Sequence, residues 1–219
     1  MVIRAETSNA ELEEKLREIS SQDLVTGLFN RTHFLELMDS AAERAVNAGQ
    51  PACLAYIRVD RYAALLADVG LAGIDLLLTD LANLLRAHFS GEAQIARFGD
   101  DVFAVLQPGQ VPEKCQEHLA ALLKKVEGHL FDVSGRTVQT SLSIGVAGLN
   151  EKTAKAQEVV DRAHRCADEL KEGNALKVFN PADELAAAAS RGNIIAMIQQ
   201  ALENNSFRLL FQPIISLRG

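Results

Sequence analysis

The sequence lacks any excess of positive charge: 22 Lys and Arg stand against 29 Asp and Glu, a formal net charge of −7. Phosphate backbones and anionic lipid surfaces attract clustered Lys and Arg, so nucleic acid and membrane are not expected as partners. No apolar run approaches the about 18 residues of a membrane span, and the opening MVIRAETSNAELEEK is not a signal peptide. Cysteine is scarce and scattered. Cys53, Cys115 and Cys166 form neither a zinc spacing nor an even disulfide set, and read as reduced packing thiols of a cytoplasmic protein. P-loop and Ser-His-Asp patterns are absent. His88, His118, His129 and His164 have no second ligand at metal spacing, and His33 is expected at the surface. Neither a metal nor a cofactor is therefore expected.

What is present is an ordinary globular composition, 48% apolar and 23% charged. Leu12, Leu16 and Ile19 make a short helical stripe within residues 8–20. It suits either a weak homodimer contact or a helix docked on its own domain. A helix over 32–48, a strand over 52–59, helices over 61–69 and 73–89, and two short strands within 94–106 follow. The Gly99-Asp100-Asp101 turn between those strands is expected to use positive φ, which glycine and aspartate tolerate. A helix over 112–129, a strand over 130–133, one alternating strand over 138–147, a helix over 154–171 and a strand over 176–179 complete the unit. Helices segregated from a mostly antiparallel sheet give the α+β class. Pro181 marks a boundary, after which an Ala-rich helix (183–204) leads to the apolar strand Phe207–Leu217.

Four separated motifs narrow the fold. Asp23–Arg31 (DLVTGLFNR) resembles the D-x-L-T-G-L-x-N-R opening of GGDEF domains, the diguanylate cyclase family. Arg97–Phe103 (RFGDDVF) stands where R-[YF]-G-G-D-E-F belongs, and Ser141–Ala147 (SLSIGVA) resembles the family's S-x-G-[VI]-A strand. Lys171-Glu172-Gly173-Asn174 lies near the closing A-K-x-x-G-R-N, one residue short. The resemblance implies a nucleotidyl-cyclase (ferredoxin-like) fold with a central five-stranded sheet surrounded by helices. Leu209–Ile215 (LLFQPII) resembles the first strand of EAL domains, the cyclic di-GMP phosphodiesterase family. The expected organisation is an N-terminal signalling or linker helix (1–22), a degenerate GGDEF domain (23–180), and a linker helix with the first strand of a truncated EAL domain (181–219).

In the family a divalent metal aligns two GTP molecules for in-line attack, held by the first Asp of a D-x-D pair and the Glu of the hairpin. Here those positions are Arg58 and Val102. Two unit charges about 4 Å apart at an effective dielectric near 20 interact by roughly 4 kcal/mol, so Arg58 repels a cation strongly. Asp60, the second D-x-D residue, is expected on the opposite side of the strand and unable to compensate. By resemblance the guanine-reading Asn has become Leu66, while Asp75 is kept as a substrate-binding remnant. The phosphate-contacting Lys falls on Ala63, leaving Lys171. Asp100 replaces the hairpin's second glycine, and Asp101 retains an acid in the third position. The inhibitory R-x-x-D site would fall on 90–93, where neither charge is present.

These departures imply a domain that is not an enzyme, acting as a relay or scaffold in cyclic di-GMP signalling. The alternative is a GTP sensor that activates a neighbouring EAL phosphodiesterase. The hairpin beginning Gly-Asp and the F-Q-P-I strand are similar to those of regulators of type IV pili and twitching motility. That likeness implies the EAL domain of the same chain, and a PilZ-type or pilus-assembly protein, as partners. Cyclic di-GMP would then bind only through a complete EAL domain, using Leu209, Phe211 and Gln212.

Overall fold

The computed structural model describes residues 20–150 and 155–190, with the single positions 199, 202 and 203. The stripe at Leu12, Leu16 and Ile19, and the residues Leu209, Phe211 and Gln212, lie outside the described residues. The chain splits into two units, Met1–Phe179 and Asn180–Gly219.

In the first unit β1 (Phe29–Asn30) runs straight into α1 (Arg31–Ala48). Asn30 caps that helix by accepting from the His33 amide at 3.0 Å, and Gly49 ends it at φ 62°. β2 (Ala52–Val59) spans the expected strand residue for residue. α2 (Tyr62–His88) is broken at Gly70 (φ 71°, ψ 179°), which restores the two helices expected from the sequence. By length and composition alone α2 could cross a membrane, with a mean hydropathy of 1.6 over its apolar window. Leu77, Leu78, Leu81 and Leu85 of this helix are instead buried in the core. β3 (Gln94–Arg97), β4 (Val102–Pro108), α3 (Pro112–Glu127), β5 (Phe131–Val133), β6 (Arg136–Val138), β7 (Leu142–Leu149), α4 (Ala156–Asp168) and β8 (Ala175–Val178) follow.

The main sheet has the order β1-β3-β4-β2-β7-β8. Its inner pairs are antiparallel, while β1 is parallel to β3 and β8 to β7. This corrects the expected five strands to six. The extra one, β1, is two residues long and too short for any alternation to reveal. The single strand expected over 138–147 is also two. β6 pairs with β5 in a separate two-stranded sheet, and β7 joins the main sheet. Between them Thr140 donates its hydroxyl to the Asp60 carbonyl, and the Ser141 carbonyl accepts from the Asp60 amide, so the linking residues serve β2.

Alternation along β2 sorts the core into two layers. Cys53, Ala55, Ile57 and Val59 pack under α2 and α3, whereas Ala52, Leu54 and Tyr56 pack under α1 and α4. α4 lies so close to β7 that a Cβ on Gly145 would stand 1.8 Å from the Ala163 carbonyl oxygen. In the second unit α5 (Pro181–Ser190) starts on Asn180, whose side-chain oxygen accepts from the Ala182 amide at 3.0 Å. The remainder of the helix expected over 183–204 lies outside the described residues, apart from positions 199, 202 and 203.

Candidate functional site

The C-terminal end of β2, the β3–β4 loop, the start of α2 and the turn after α4 enclose a cavity of about 490 Å³. Arg58, Asp100, Asp101 and Lys171 all line it, four of the six expected site residues that lie among the described residues. Ala63 lines it too. Asp75 does not: it sits exposed on α2, and Leu66 is half-buried against the core. Tyr62 lines the cavity, and Asp100, Asp101 and Asp75 all act on its phenol. Burial pushes that phenol above its ordinary value, Arg97 opposes the rise, and the three carboxylates add to it.

Arg58 and Val102 are direct cross-strand partners of β2 and β4, so the two positions that the resemblance assigns to metal carboxylates stand side by side. Their present chemistry points away from a metal. Arg58 donates to the Asp168 carboxylate at 2.5 Å and to the Ala167 carbonyl at 3.2 Å, tying β2 to the end of α4. Val102 is buried in the core beneath α1 and α4 with Phe98 and Ala104. Among the described residues no group of three or more His, Cys, Asp or Glu side chains is placed to hold a metal ion. The divalent cation implied by the resemblance therefore does not fit this site.

Asp60 requires a correction. It directly follows β2, and its carboxylate accepts from Ser143, the cross-strand partner of Arg58, so it lies on the same side as Arg58, not opposite. What withholds it from a cation is its own bonding. Its two oxygens accept from the Ser141 hydroxyl at 2.6 Å, the Ser143 hydroxyl at 2.6 Å and the Asn174 amide at 2.9 Å. Gly173, at φ 74°, completes this seat, because a Cβ there would stand 2.6 Å from the Asp60 carboxylate. The β3–β4 loop is the second correction. Gly99, Asp100 and Asp101 are not among the residues at positive φ. Phe98 to Asp101 form a four-residue loop closed by the Phe98 and Gly99 amides on the Val102 carbonyl, a length that runs through ordinary right-handed turn geometry.

The opening motif is a fastening. Asp23 accepts from the Thr26 amide and hydroxyl at 2.9 and 2.7 Å, and its other oxygen faces Arg97 at 3.6 Å. Residues 90–93 form the turn before β3, carrying Glu92 as their one charge. Asp168 and Arg61 went unnoticed in the sequence, and Glu172 was read only as part of the closing motif. Asp168 lies 110 positions from Arg58 with no local pattern to link them.

A family profile for the diguanylate cyclase GGDEF domain matches residues 20–176. The crystal structure of the FimX GGDEF domain from Pseudomonas aeruginosa is 58% identical, covers 73% of this chain and 99% of that one, and superposes with a TM-score of 0.71. The probable diguanylate cyclase DgcE of Escherichia coli is 25% identical over 220 residues, 100% of this chain and 20% of its own length. MucR of Pseudomonas aeruginosa, named a bifunctional diguanylate cyclase/cyclic di-GMP phosphodiesterase, is 25% identical over 208 residues, 94% of this chain and 30% of its own. The chain thus spans a third or less of the curated relatives it matches. With its motifs, its sheet order and this match in register, the chain belongs to the diguanylate cyclase GGDEF-domain family.

Proposed function

We propose that this GGDEF domain makes no cyclic di-GMP and serves as a relay or scaffold within cyclic di-GMP signalling. The observation that carries the reading is the pair Arg58–Asp168 beside buried Val102: a fixed internal cation and an aliphatic side chain occupy the two positions where metal carboxylates would stand. Without the metal, two triphosphates have nothing to neutralise them or to align the attack. Leu66 and Ala63, in place of the base-reading and phosphate-binding residues, support the same reading.

In the full protein the segment 181–219 opens an EAL domain, as its likeness to the first EAL strand implies, and Leu209, Phe211 and Gln212 contribute there to a cyclic di-GMP pocket. Similarity to the FimX GGDEF domain supports a role with type IV pili and twitching motility, with a PilZ-type or pilus-assembly protein as partner. The test is direct. Purified chain with GTP and Mg²⁺ or Mn²⁺ yields no cyclic or linear product above a heat-killed control, and Arg58→Asp with Val102→Glu does not restore synthesis. Product formation by the unaltered chain overturns the reading.

A GTP sensor is the second reading, favoured by the cavity that persists with Arg61 and Lys171 on its wall. Its charge balance is adverse. Arg58, Arg61 and Lys171 face Asp60, Asp100, Asp101 and Glu172, so carboxylates outnumber cations around a space that would hold a polyanion. Calorimetry is expected to give no saturable heat at millimolar GTP. Micromolar binding that Asp75→Ala abolishes would establish the sensor.

A further inference from the structure

In α2 composition and burial disagree. Its most apolar stretch has a mean hydropathy of 1.6, yet only 28% of that stretch is buried. One side of the helix is committed to the core, where Leu77, Leu78, Leu81 and Leu85 are fully enclosed. The other side is apolar too, and it faces solvent. Before the Gly70 break Ala63 and Ala67 are exposed; after it Ala72 is exposed, with Leu71 at 76% and Leu76 at 48%. Leu24, 91% exposed, adds to this surface from the opening loop, whose Val25 carbonyl accepts from the Thr79 hydroxyl of α2 at 3.2 Å. The outer face of a surface helix is ordinarily charged, and a run of exposed apolar side chains marks a contact surface.

We propose that this face of α2 receives a basic amphipathic helix of a partner protein. The charge around the face selects that occupant. From Tyr62 to Leu78 the only charged residues are Asp68 and Asp75. Arg136 grips Asp68 at 3.0 and 3.2 Å, whereas Asp75 stands exposed on the helix. At the start of α2, Tyr62 and Ala63 share the cavity wall with Asp100, Asp101 and Glu172, where carboxylates outnumber cations. An apolar strip with an acidic margin complements a helix that carries apolar residues at three- and four-residue spacing, flanked by Lys or Arg. A second copy of this chain brings the same acidic margin and meets like charge, and an anionic lipid surface is repelled in the same way.

From Ala63 to Leu76 the face spans about 20 Å of helix, the length of roughly fourteen partner residues. The proposal rests on the scaffold reading, since a cyclase would need the cavity at the start of this face clear for nucleotide. It gives that reading a contact surface.

The test uses the whole 219-residue chain without GTP or metal, so its failure is separate from that of the synthesis assay. The probe is a fluorescein-labelled fourteen-residue peptide of leucine and lysine, with leucine at helical spacing, followed by anisotropy at about 150 mM salt. Saturable one-to-one binding is expected. Leu71→Asp with Leu76→Asp should weaken it at least about tenfold and leave the thermal melt unchanged, because both side chains are already solvated. Asp75→Lys should weaken it by roughly threefold. Replacing lysine by glutamate in the peptide, or alternating the same leucines and lysines, should abolish saturation. A parent chain that does not bind the probe overturns the proposal, as does equal binding of the alternating peptide or indifference to the leucine changes. A parent dimer in sedimentation that Leu71→Asp dissolves would assign the face to a second copy, and binding to phosphatidylcholine vesicles lost in the same variant would assign it to a membrane; either result also overturns the proposal. Leu71→Asp alone decides the question where the double variant does not fold.

Discussion

Two sides of one cavity have had different fates. On the β2–β4 side, the positions that the sequence resemblance assigns to metal carboxylates hold an arginine turned to α4 and a valine turned into the core. On the β7 side, Asp60, Ser141, Ser143, Gly173 and Asn174 form one closed hydrogen-bonded seat. The difference separates two kinds of motif residue. Those that bind a ligand are replaceable whenever the ligand is no longer required, because their loss costs folding little. Those that satisfy buried polar groups or permit close packing are not, because the fold itself fails without them.

Three substitutions sharpen or break that contrast. Gly145→Val carries the largest expected cost, at least about 3 kcal/mol, because its first side-chain carbon collides with the α4 backbone and no rotamer avoids it. Urea unfolding should find the variant largely unfolded or not recoverable as soluble protein. Asp60→Ala comes next at ~3 kcal/mol, since it orphans two serine hydroxyls and the Asn174 amide. Its thermal melt should fall well below that of the parent. Arg58→Met is the smallest, under about 1 kcal/mol, because the pair it removes is partly solvated, with side chains 26% and 47% exposed. If Arg58→Met destabilised the domain as much as Asp60→Ala, Arg58 would belong with the structural half of the cavity, and the contrast would fail.

Much of this was legible in the residues. Periodicity bounded β2 to the residue, found α1, and gave separate helices over 61–69 and 73–89 on either side of the break at Gly70. Two of the four motifs, the hairpin at Arg97–Phe103 and the closing Lys171–Asn174, supply part of the cavity's wall, and all four together fix the order of elements. What escaped was non-local or too short. β1 has two residues and exists only because β3 is there to receive it. The interruption between β6 and β7 is dictated by Asp60, some eighty positions away. The Arg58–Asp168 pair joins a strand to the end of a distant helix, and no spacing rule connects them. The side assigned to Asp60 was a different kind of error, since its bond to Ser143, the cross-strand partner of Arg58, sets it on the arginine's side. The positive φ expected of the β3–β4 loop failed because the loop has four residues rather than two, and a longer loop turns without left-handed backbone.

The order of the main sheet has a mechanical consequence. Gln22 is bridged to Phe29 at the β1 edge, while Phe179 bonds Val146 next to β8 at the other. Five strand spacings lie between those edges, about 24 Å across the hydrogen-bonding direction. A load applied at one and resisted at the other must cross every ladder in turn, including the central one that carries Arg58. The weakest rung is the two-residue β1, so under tension the domain would yield at its entry edge while the middle of the sheet kept its width: a strut with a built-in fuse.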